Sequence, residues 1–225
     1  MRKNTLADLV IYRFNKILKA LPQSSSPIKT IAQICPDDQS SASSPDPHPA
    51  LRATFSSVEQ ARSAALMRIN HSGEVCAQAL YLGQAFVARD KALADQLYEA
   101  AEEEQTHLKW CHDRLTELNA KPSFLNPVWA FGSLGIGMLA GLAGDKISLG
   151  FLAETEHQVS NHLEAHLNKI APHDTKSIAI LKQMQEDEKR HATNAIALGG
   201  RPLPKPICKL MALCSKIMTT TARYI

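Results

Sequence analysis

Apolar residues recur at every third or fourth position through most of the chain after residue 50, which is the spacing of an amphipathic helix. No stretch shows the strict alternation of apolar and polar residues that is typical of a β-strand bounded by turns. The pattern predicts four long helices, at about 57–89, 91–119, 146–170 and 175–198. The spacer between the first two helices is short, as in an antiparallel pair. The predicted fold class is all-α.

Local signals mark several helix ends. Residues Ser57 to Gln60 fit a capping box, in which two side chains satisfy free backbone amides at the start of a helix. Asp90 is placed to cap the second helix. Gly199 and Gly200 follow the fourth helix, where glycine commonly ends a helix. The predicted boundaries therefore depend on capping chemistry as well as on periodicity.

Residues 122–144, which connect the two helix pairs, contain no charged side chain. Their length approaches the roughly 20 residues that span a bilayer, and Gly137 and Gly141 have the spacing of a helix-packing motif. Three placements fit: a crossover that dips into one leaflet or covers an apolar channel, a buried crossover, and a full transmembrane helix. The first is favoured because Asn126, Pro127 and the other glycines weaken the helix.

The two ends of the chain differ from the middle. Residues 1–21 predict an amphipathic helix that binds an anionic membrane surface, docks on the folded domain, or is a removed organellar presequence. Residues 22–50 are rich in serine, proline and aspartate, which predicts a disordered linker. The folded domain is expected at 51–225. Its end, after Pro206, predicts a basic amphipathic helix in contact with a membrane.

Charge and cysteine content narrow the partners and the compartment. The formal net charge of +3 is too small to favour nucleic acid as a partner. The five cysteines form neither an even number nor a CxxC pair, which favours a reducing compartment. Cys76 and Cys111 are expected to be small packing residues within helices.

Two Glu-x-x-His motifs lie in the second and fourth predicted helices, and on a helix this spacing puts both side chains on one face. Another glutamate lies 30 residues before the first motif and 32 residues before the second, inside the preceding long helix. The chain thus repeats one unit, which is the ligand pattern of a carboxylate-bridged two-metal site in a ferritin-like four-helix bundle. The predicted ligands are Glu74, Glu104, His107, Glu156, Glu188 and His191.

Burial explains why these carboxylates need a metal. Glu104, Glu156 and Glu188 lie on stripes that are otherwise apolar. Burying one uncompensated carboxylate costs on the order of several kcal/mol, and a marginally stable domain cannot bury several of them. Two divalent cations would cancel four carboxylates, and two neutral imidazoles would complete the ligand set. Glu103 and Asp187 are placed to accept the second ring N–H of a histidine on the neighbouring helix.

The same pattern predicts where the remaining histidines lie and which metals the ligand set suits. His71 and His162 lie near the ligands and are expected around the metals or in a pocket wall. Oxygen and imidazole ligands suit iron or manganese and differ from structural zinc sites. The spacing does not choose between the two metals, whereas oxygen chemistry would favour iron. The histidines expected to face solvent are His112, His157, His166 and His173.

Four stretches carry a family resemblance: Met67–Tyr81, Glu104–His107, Glu154–Val159 and Asp187–Ala192. They resemble the demethoxyubiquinone hydroxylases of ubiquinone biosynthesis in their bacterial form, and the likeness covers about residues 50–222. The Asn-His-x-Gly-Glu stretch at 70–74 distinguishes this family from ferritins and rubrerythrins. Relatives from mitochondria often have a tyrosine where this chain has Leu163, so no role of that tyrosine carries over.

The resemblance implies a membrane-associated, non-haem di-iron monooxygenase with two iron ions per chain. Its family hydroxylates the ring of a polyprenylated methoxy-methyl-benzoquinol, using dioxygen and a reductant, and an accessory lipid-binding protein is a further expected partner. The implied location is the periphery of the bacterial cell membrane, on its cytoplasmic face. Carried onto this chain, Glu74 and His107 bind one iron, Glu156 and His191 bind the other, and Glu104 and Glu188 bridge.

Two other functions use the same ligands. A ferritin-like ferroxidase or peroxidase would need no apolar access route, so the uncharged stretch at 122–144 disfavours it. A membrane scaffold would use the metals only to hold the bundle together. The three hypotheses differ in whether the reduced protein reacts with dioxygen and whether that reaction needs a quinol.

Overall fold

The structure is a computed structural model that describes Ile34 and residues 56–224. Regular structure in these residues is entirely α-helical, as the sequence predicts. The predicted helix at 1–21 lies outside the described residues, and so does the predicted linker at 22–50 apart from Ile34. The helices of 56–224 are α1 (Ser57–Val87), α2 (Lys91–Glu117), α3 (Asn126–Leu142), α4 (Asp145–Leu167), α5 (Thr175–Ala197) and α6 (Lys205–Ala222).

The four long helices α1, α2, α4 and α5 form the bundle. Among the four bundle helices, α1 packs mainly against α2 and α4 packs mainly against α5, so the two sequence repeats form two helix pairs. α3 crosses from one pair to the other and lies along α1, next to α4. α6 packs on α1 and α4. This arrangement confirms the predicted ferritin-like bundle with a long crossover.

Helix ends follow the predicted capping chemistry with one shift. The capping box of α1 is formed by Ser56 and Glu59, one residue earlier than the predicted pair, because Ser56 is the last extended residue before the helix. The Asp90 side chain accepts a hydrogen bond from the amide of Ala92, as predicted for α2. Gly199, just after α5, has a φ of 96°, a conformation that glycine adopts easily.

The crossover helix α3 has two unlike faces. A β-carbon on Gly137 would lie 2.1 Å from the carbonyl oxygen of Leu80, and one on Gly83 would lie 2.3 Å from that of Leu134. The glycines therefore let the backbones of α1 and α3 touch. The opposite face is exposed, which differs from a fully buried crossover. Its large apolar residues are Val128, Phe131, Ile136, Leu139 and Leu142.

A full transmembrane helix is one of the three placements that the sequence allows for this crossover. Among the helices of the described residues, none is both long and apolar enough to cross a membrane.

Two apolar clusters fill the bundle interior. The Tyr98 cluster includes Leu80, Tyr81, Leu97 and Leu152, and the Leu115 cluster includes Met67, Trp110, Cys111, Leu163 and Met184. On each of the four bundle helices, the predicted ligands lie between the residues of one cluster and those of the other. The acidic side chains therefore form a polar layer inside an apolar interior.

Candidate metal centre

The structure brings all six predicted ligands together in the polar layer. Each of the four bundle helices contributes at least one of them, because each ligand lies on the inward stripe of its helix. Every one of these side chains is at least nine-tenths buried, from His191 at 7% exposed to Glu104 at 0%. The six residues are Glu74 on α1, Glu104 and His107 on α2, Glu156 on α4, and Glu188 and His191 on α5.

The first group of potential ligands surrounds His107. Its Nδ1 atom lies 3.2 Å from Glu188 Oε1, 3.3 Å from Glu104 Oε2 and 3.7 Å from Glu74 Oε2. In this group one ligand atom from each residue lies within 4.8 Å of the others. These four residues could hold one metal ion.

The second group surrounds His191. Its Nδ1 atom lies 3.4 Å from Glu188 Oε2, 3.5 Å from Glu104 Oε1 and 3.7 Å from Glu156 Oε1. Glu104 and Glu188 therefore turn one oxygen toward His107 and the other toward His191. A carboxylate placed in this way can bridge two ions.

The outward nitrogens of both histidines contact carboxylates from the opposite helix pair. His107 Nε2 lies 3.2 Å from Asp187 Oδ2, and His191 Nε2 lies 2.5 Å from Glu103 Oε2. These are the two contacts that the sequence predicts. Arg190 Nη2 donates to both carboxylates, at 3.1 Å to Asp187 and 3.3 Å to Glu103. With Nε2 protonated, the lone pair of Nδ1 points into the polar layer.

The polar layer fits a pair of cations. Within the described residues, several of its buried atoms have no hydrogen-bond partner, although such atoms are normally paired. Four carboxylates and two imidazoles are a donor set that suits iron or manganese. The unpaired atoms are Glu104 Oε1, Glu156 Oε2, both oxygens of Glu188, and His191 Nδ1.

Protons balance the charge when no metal is bound. Burial raises the pKa of Glu74 and of Glu156 well above the usual value for a glutamic acid. Burial alone would lower the pKa of His191, but its hydrogen bond to Glu103 and the close carboxylates of Glu104 and Glu188 raise it to about 12. The pKa of His107 is likewise raised, against the effect of burial, by hydrogen bonds beginning with that to Asp187. Metal ions would have to displace these protons.

Comparison with known proteins identifies the family. A model of the family described as ubiquinone biosynthesis protein COQ7 matches residues 61–222, which include all six predicted ligands. The chain belongs to this family.

Individual COQ7-family relatives cover most of the chain. It is 48% identical to the 3-demethoxyubiquinol 3-hydroxylase of Ralstonia pickettii over 221 residues, which are 98% of this chain and 100% of that protein. It is 56% identical over 167 residues to the protein of the same name from Cupriavidus metallidurans, covering 74% of this chain and 81% of that one. The corresponding protein of Xanthomonas euvesicatoria is 58% identical over 165 residues, with 73% and 76% covered.

In this COQ7-family member one contact to the polar layer is not predicted from the sequence. The hydroxyl of Tyr81 donates a hydrogen bond to Glu156 Oε1, across from α1 to α4. Tyr81 is fully buried. The available signal is its position seven residues, or two helical turns, after Glu74.

The other histidines have mixed outcomes. His112, His157 and His173 are exposed, as predicted. His166 is not, because it follows Leu163 by three residues on the inward stripe of α4. It is 2% exposed and its Nδ1 lies 2.8 Å from the side-chain oxygen of Asn70, so the prediction for His166 was wrong.

His71 and His162 are near predicted ligands in the sequence, but their rings contact residues other than those ligands. His71 Nδ1 lies 3.1 Å from the side-chain amide nitrogen of Asn126 at the start of α3. The ring of His162 packs 4.0 Å from the ring of His166. His71 therefore links α1 to α3, whereas His162 packs against a neighbour on its own helix α4.

A cavity of about 360 Å³ adjoins the His191 side of the layer. It lies between α2, α4 and α5. Leucines such as Leu97 and Leu152 form much of its wall, and Glu103, Arg190 and His191 form its polar part. One half of the polar layer is therefore closer to open space than the other.

Proposed function

We propose that the protein is a di-iron monooxygenase that hydroxylates the ring of a demethoxyubiquinol, a polyprenylated methoxy-methyl-benzoquinol, with dioxygen in ubiquinone biosynthesis. The observation that carries this proposal is the pair of four-residue groups that share the two oxygens of Glu104 and of Glu188. Family membership and the activity named for the relatives support the substrate and the reaction. The catalytic domain would be residues 51–225.

The residues have separate roles in this proposal. Glu104 and Glu188 would hold both irons, and the outer carboxylates Glu103 and Asp187 fix the imidazoles with Nδ1 directed inward. When bound, the irons supply dioxygen activation, which no side chain can supply alone. The apolar clusters on both sides keep bulk water from the layer. Glu74 and His107 complete one iron position, and Glu156 and His191 complete the other.

Membrane contact is part of the proposal. A substrate with a long isoprenoid tail resides in a bilayer, and α3 presents exposed apolar side chains, with Phe131 at 77% and Leu139 at 69%. Along α6, exposed Leu210 and Leu213 alternate with lysines, a composition suited to an anionic surface. The proposed location is the cytoplasmic face of the bacterial cell membrane. A reductant and an accessory lipid-binding protein would act as further partners.

The decisive experiment is metal analysis with Mössbauer spectroscopy of the purified protein and of Glu104→Ala. Removing Glu104 takes one oxygen from each group, so the coupled two-iron signal and the hydroxylation should be lost together. Glu102→Ala is the matched control, because Glu102 is an exposed glutamate on the same helix. An intact coupled cluster in Glu104→Ala would overturn the assignment of that bridge.

Dioxygen consumption separates the alternatives. The proposed hydroxylase consumes dioxygen in proportion to an added demethoxyubiquinol. A ferroxidase or peroxidase would turn over with iron alone. A scaffold with closed metal positions would not react with dioxygen when reduced.

Sedimentation with liposomes tests the membrane contact. Phe131→Glu should reduce the bound fraction severalfold on vesicles that contain phosphatidylglycerol, because it places a charge on the apolar face of α3. Val58→Glu is the matched control, since Val58 is also exposed, at 69%, but lies at the start of α1. Equal losses for both variants would contradict a specific role of α3.

A further inference from the structure

The sequence repeat implies that the two metal positions have equal surroundings, and one residue breaks this equality. In the repeat, Glu74 on α1 corresponds to Glu156 on α4. Tyr81 follows Glu74 by seven residues, and Leu163 follows Glu156 by seven residues. The two positions are therefore equivalent, yet one side chain carries a hydrogen-bond donor and the other does not.

Tyr81 acts on the ligand of the opposite helix pair. Its hydroxyl donates to Oε1 of Glu156, the same oxygen that lies 3.7 Å from His191 Nδ1. The phenol is fully buried, so water does not compete for this bond. Oε2 of Glu156 is buried without a hydrogen-bond partner among the described residues. When Glu156 is deprotonated, as a metal ligand must be, a bond from a donor to this charged acceptor is strong and directional.

The surroundings of Glu74 are apolar at the equivalent place. Leu163 is 1% exposed and belongs to the Leu115 cluster, together with Met67 and Cys111. Burial raises the pKa of the Cys111 thiol, and the nearby charge of Glu74 raises it further, which shows that this cluster adjoins the carboxylate. A leucine cannot fix the orientation of a carboxylate.

We propose that Tyr81 is a positioning residue that holds Glu156 in one orientation and thereby makes the two metal positions unequal. The Glu156–His191 position has a ligand that is fixed by the phenol. The Glu74–His107 position has Leu163 at the equivalent place, so Glu74 lacks a hydrogen bond from a phenol there. This inference rests on the ligand set of the proposed function.

Tyr81→Phe is the deciding variant because it removes one oxygen atom and retains the aromatic ring. Metal-free protein titrated with Co²⁺ should show two binding steps, and the variant should weaken one step by about 10–100-fold, as is common when a partner of a metal ligand is lost. In Mössbauer spectra of the reduced, ⁵⁷Fe-loaded protein, one of two quadrupole doublets should shift and the other should stay. Tyr98→Phe, another fully buried tyrosine, is the control for losing a buried phenol.

The outcomes are distinguishable. Tyr81→Phe that leaves both steps and both doublets unchanged, or alters both equally, would overturn the inference while the two-iron centre stands. The same effect from Tyr98→Phe would also overturn it. A wild-type protein that binds no pair of ions would instead refute the proposed function.

Discussion

The α1–α2 pair and the α4–α5 pair carry the same ligand unit but surround it differently. The distances from His107 Nδ1 and from His191 Nδ1 to their carboxylate oxygens all fall between 3.2 and 3.7 Å. Outside the layer the pairs differ: the outer carboxylate Asp187 is 19% exposed, whereas Glu103 is 49% exposed and adjoins the cavity. The repeat therefore determines where the ligands lie, and the residues that are not repeated determine their surroundings.

Neither helix pair contains all four residues of either potential ligand group. His107 on α2 needs Glu188 from α5 inside the layer and Asp187 from α5 outside it. His191 on α5 needs Glu104 and Glu103 from α2 in the same two roles. The two halves are thus similar in sequence but depend on each other in structure.

The largest effect is expected from removing a shared ligand. Glu188→Ala should lose both ions, because Glu188 turns an oxygen toward each group. Glu156→Ala and Glu74→Ala should each lose only one ion, since each belongs to one group. Iron content after gel filtration measures the difference. Retention of one ion by Glu188→Ala would show that this carboxylate does not bridge.

The next prediction concerns the pH dependence of metal affinity. It tests whether the ligand groups in both helix pairs bind protons when no metal is bound. The pKa values of Glu74, Glu156, His107 and His191 are raised, which favours their protonated forms. Metal binding needs the deprotonated side chains, so affinity should rise with pH. Calorimetry in buffers of different ionisation enthalpy should detect a net release of protons on metal binding. Release of no protons would contradict the raised pKa values.

A smaller loss of metal affinity is expected when the outer carboxylates are changed, and the loss should differ between the two helix pairs. Asp187→Asn and Glu103→Gln should each weaken metal binding by about 10–100-fold, since each removes the charge that fixes an imidazole. The loss should be greater for Asp187, because the hydrogen bond of the more exposed Glu103 competes with water. Metal titration of both variants measures the order.

Arg190→Gln serves as the matched control for these variants. Arg190 bonds both outer carboxylates but is 52% exposed, and exposed ion pairs contribute little. Its effect should be the smallest of the three. An effect equal to that of Asp187→Asn would assign the arginine a larger role than its exposure allows.

Much of the fold could be predicted from local sequence signals. The predicted second helix, 91–119, is observed as Lys91–Glu117, because the cap at Asp90 and the helical period are both properties of neighbouring residues. The convergence of the six ligand side chains follows from the same logic, since an acid on an apolar stripe has to face the interior. The crossed contacts of Glu103 and Asp187 follow from the antiparallel repeat.

Contacts that depend on how the helices pack cannot be predicted from local sequence signals. The bond from Tyr81 to Glu156 joins residues 75 positions apart and depends on the relative height of α1 and α4. Gly137 and Gly141 have the predicted helix-packing spacing, but local sequence does not show that α1 is the helix they approach. The burial of His166, by contrast, follows from local sequence, because it lies one helical turn after Leu163.

The glycine contact between α1 and α3 has a mechanical consequence. Where Gly137 meets Leu80, main chain touches main chain, and there are no long side chains between them to absorb movement. A displacement of α3 would therefore be transmitted directly to α1. α1 carries both Glu74 and Tyr81, so this contact connects the exposed face of the crossover to both four-residue groups of the polar layer.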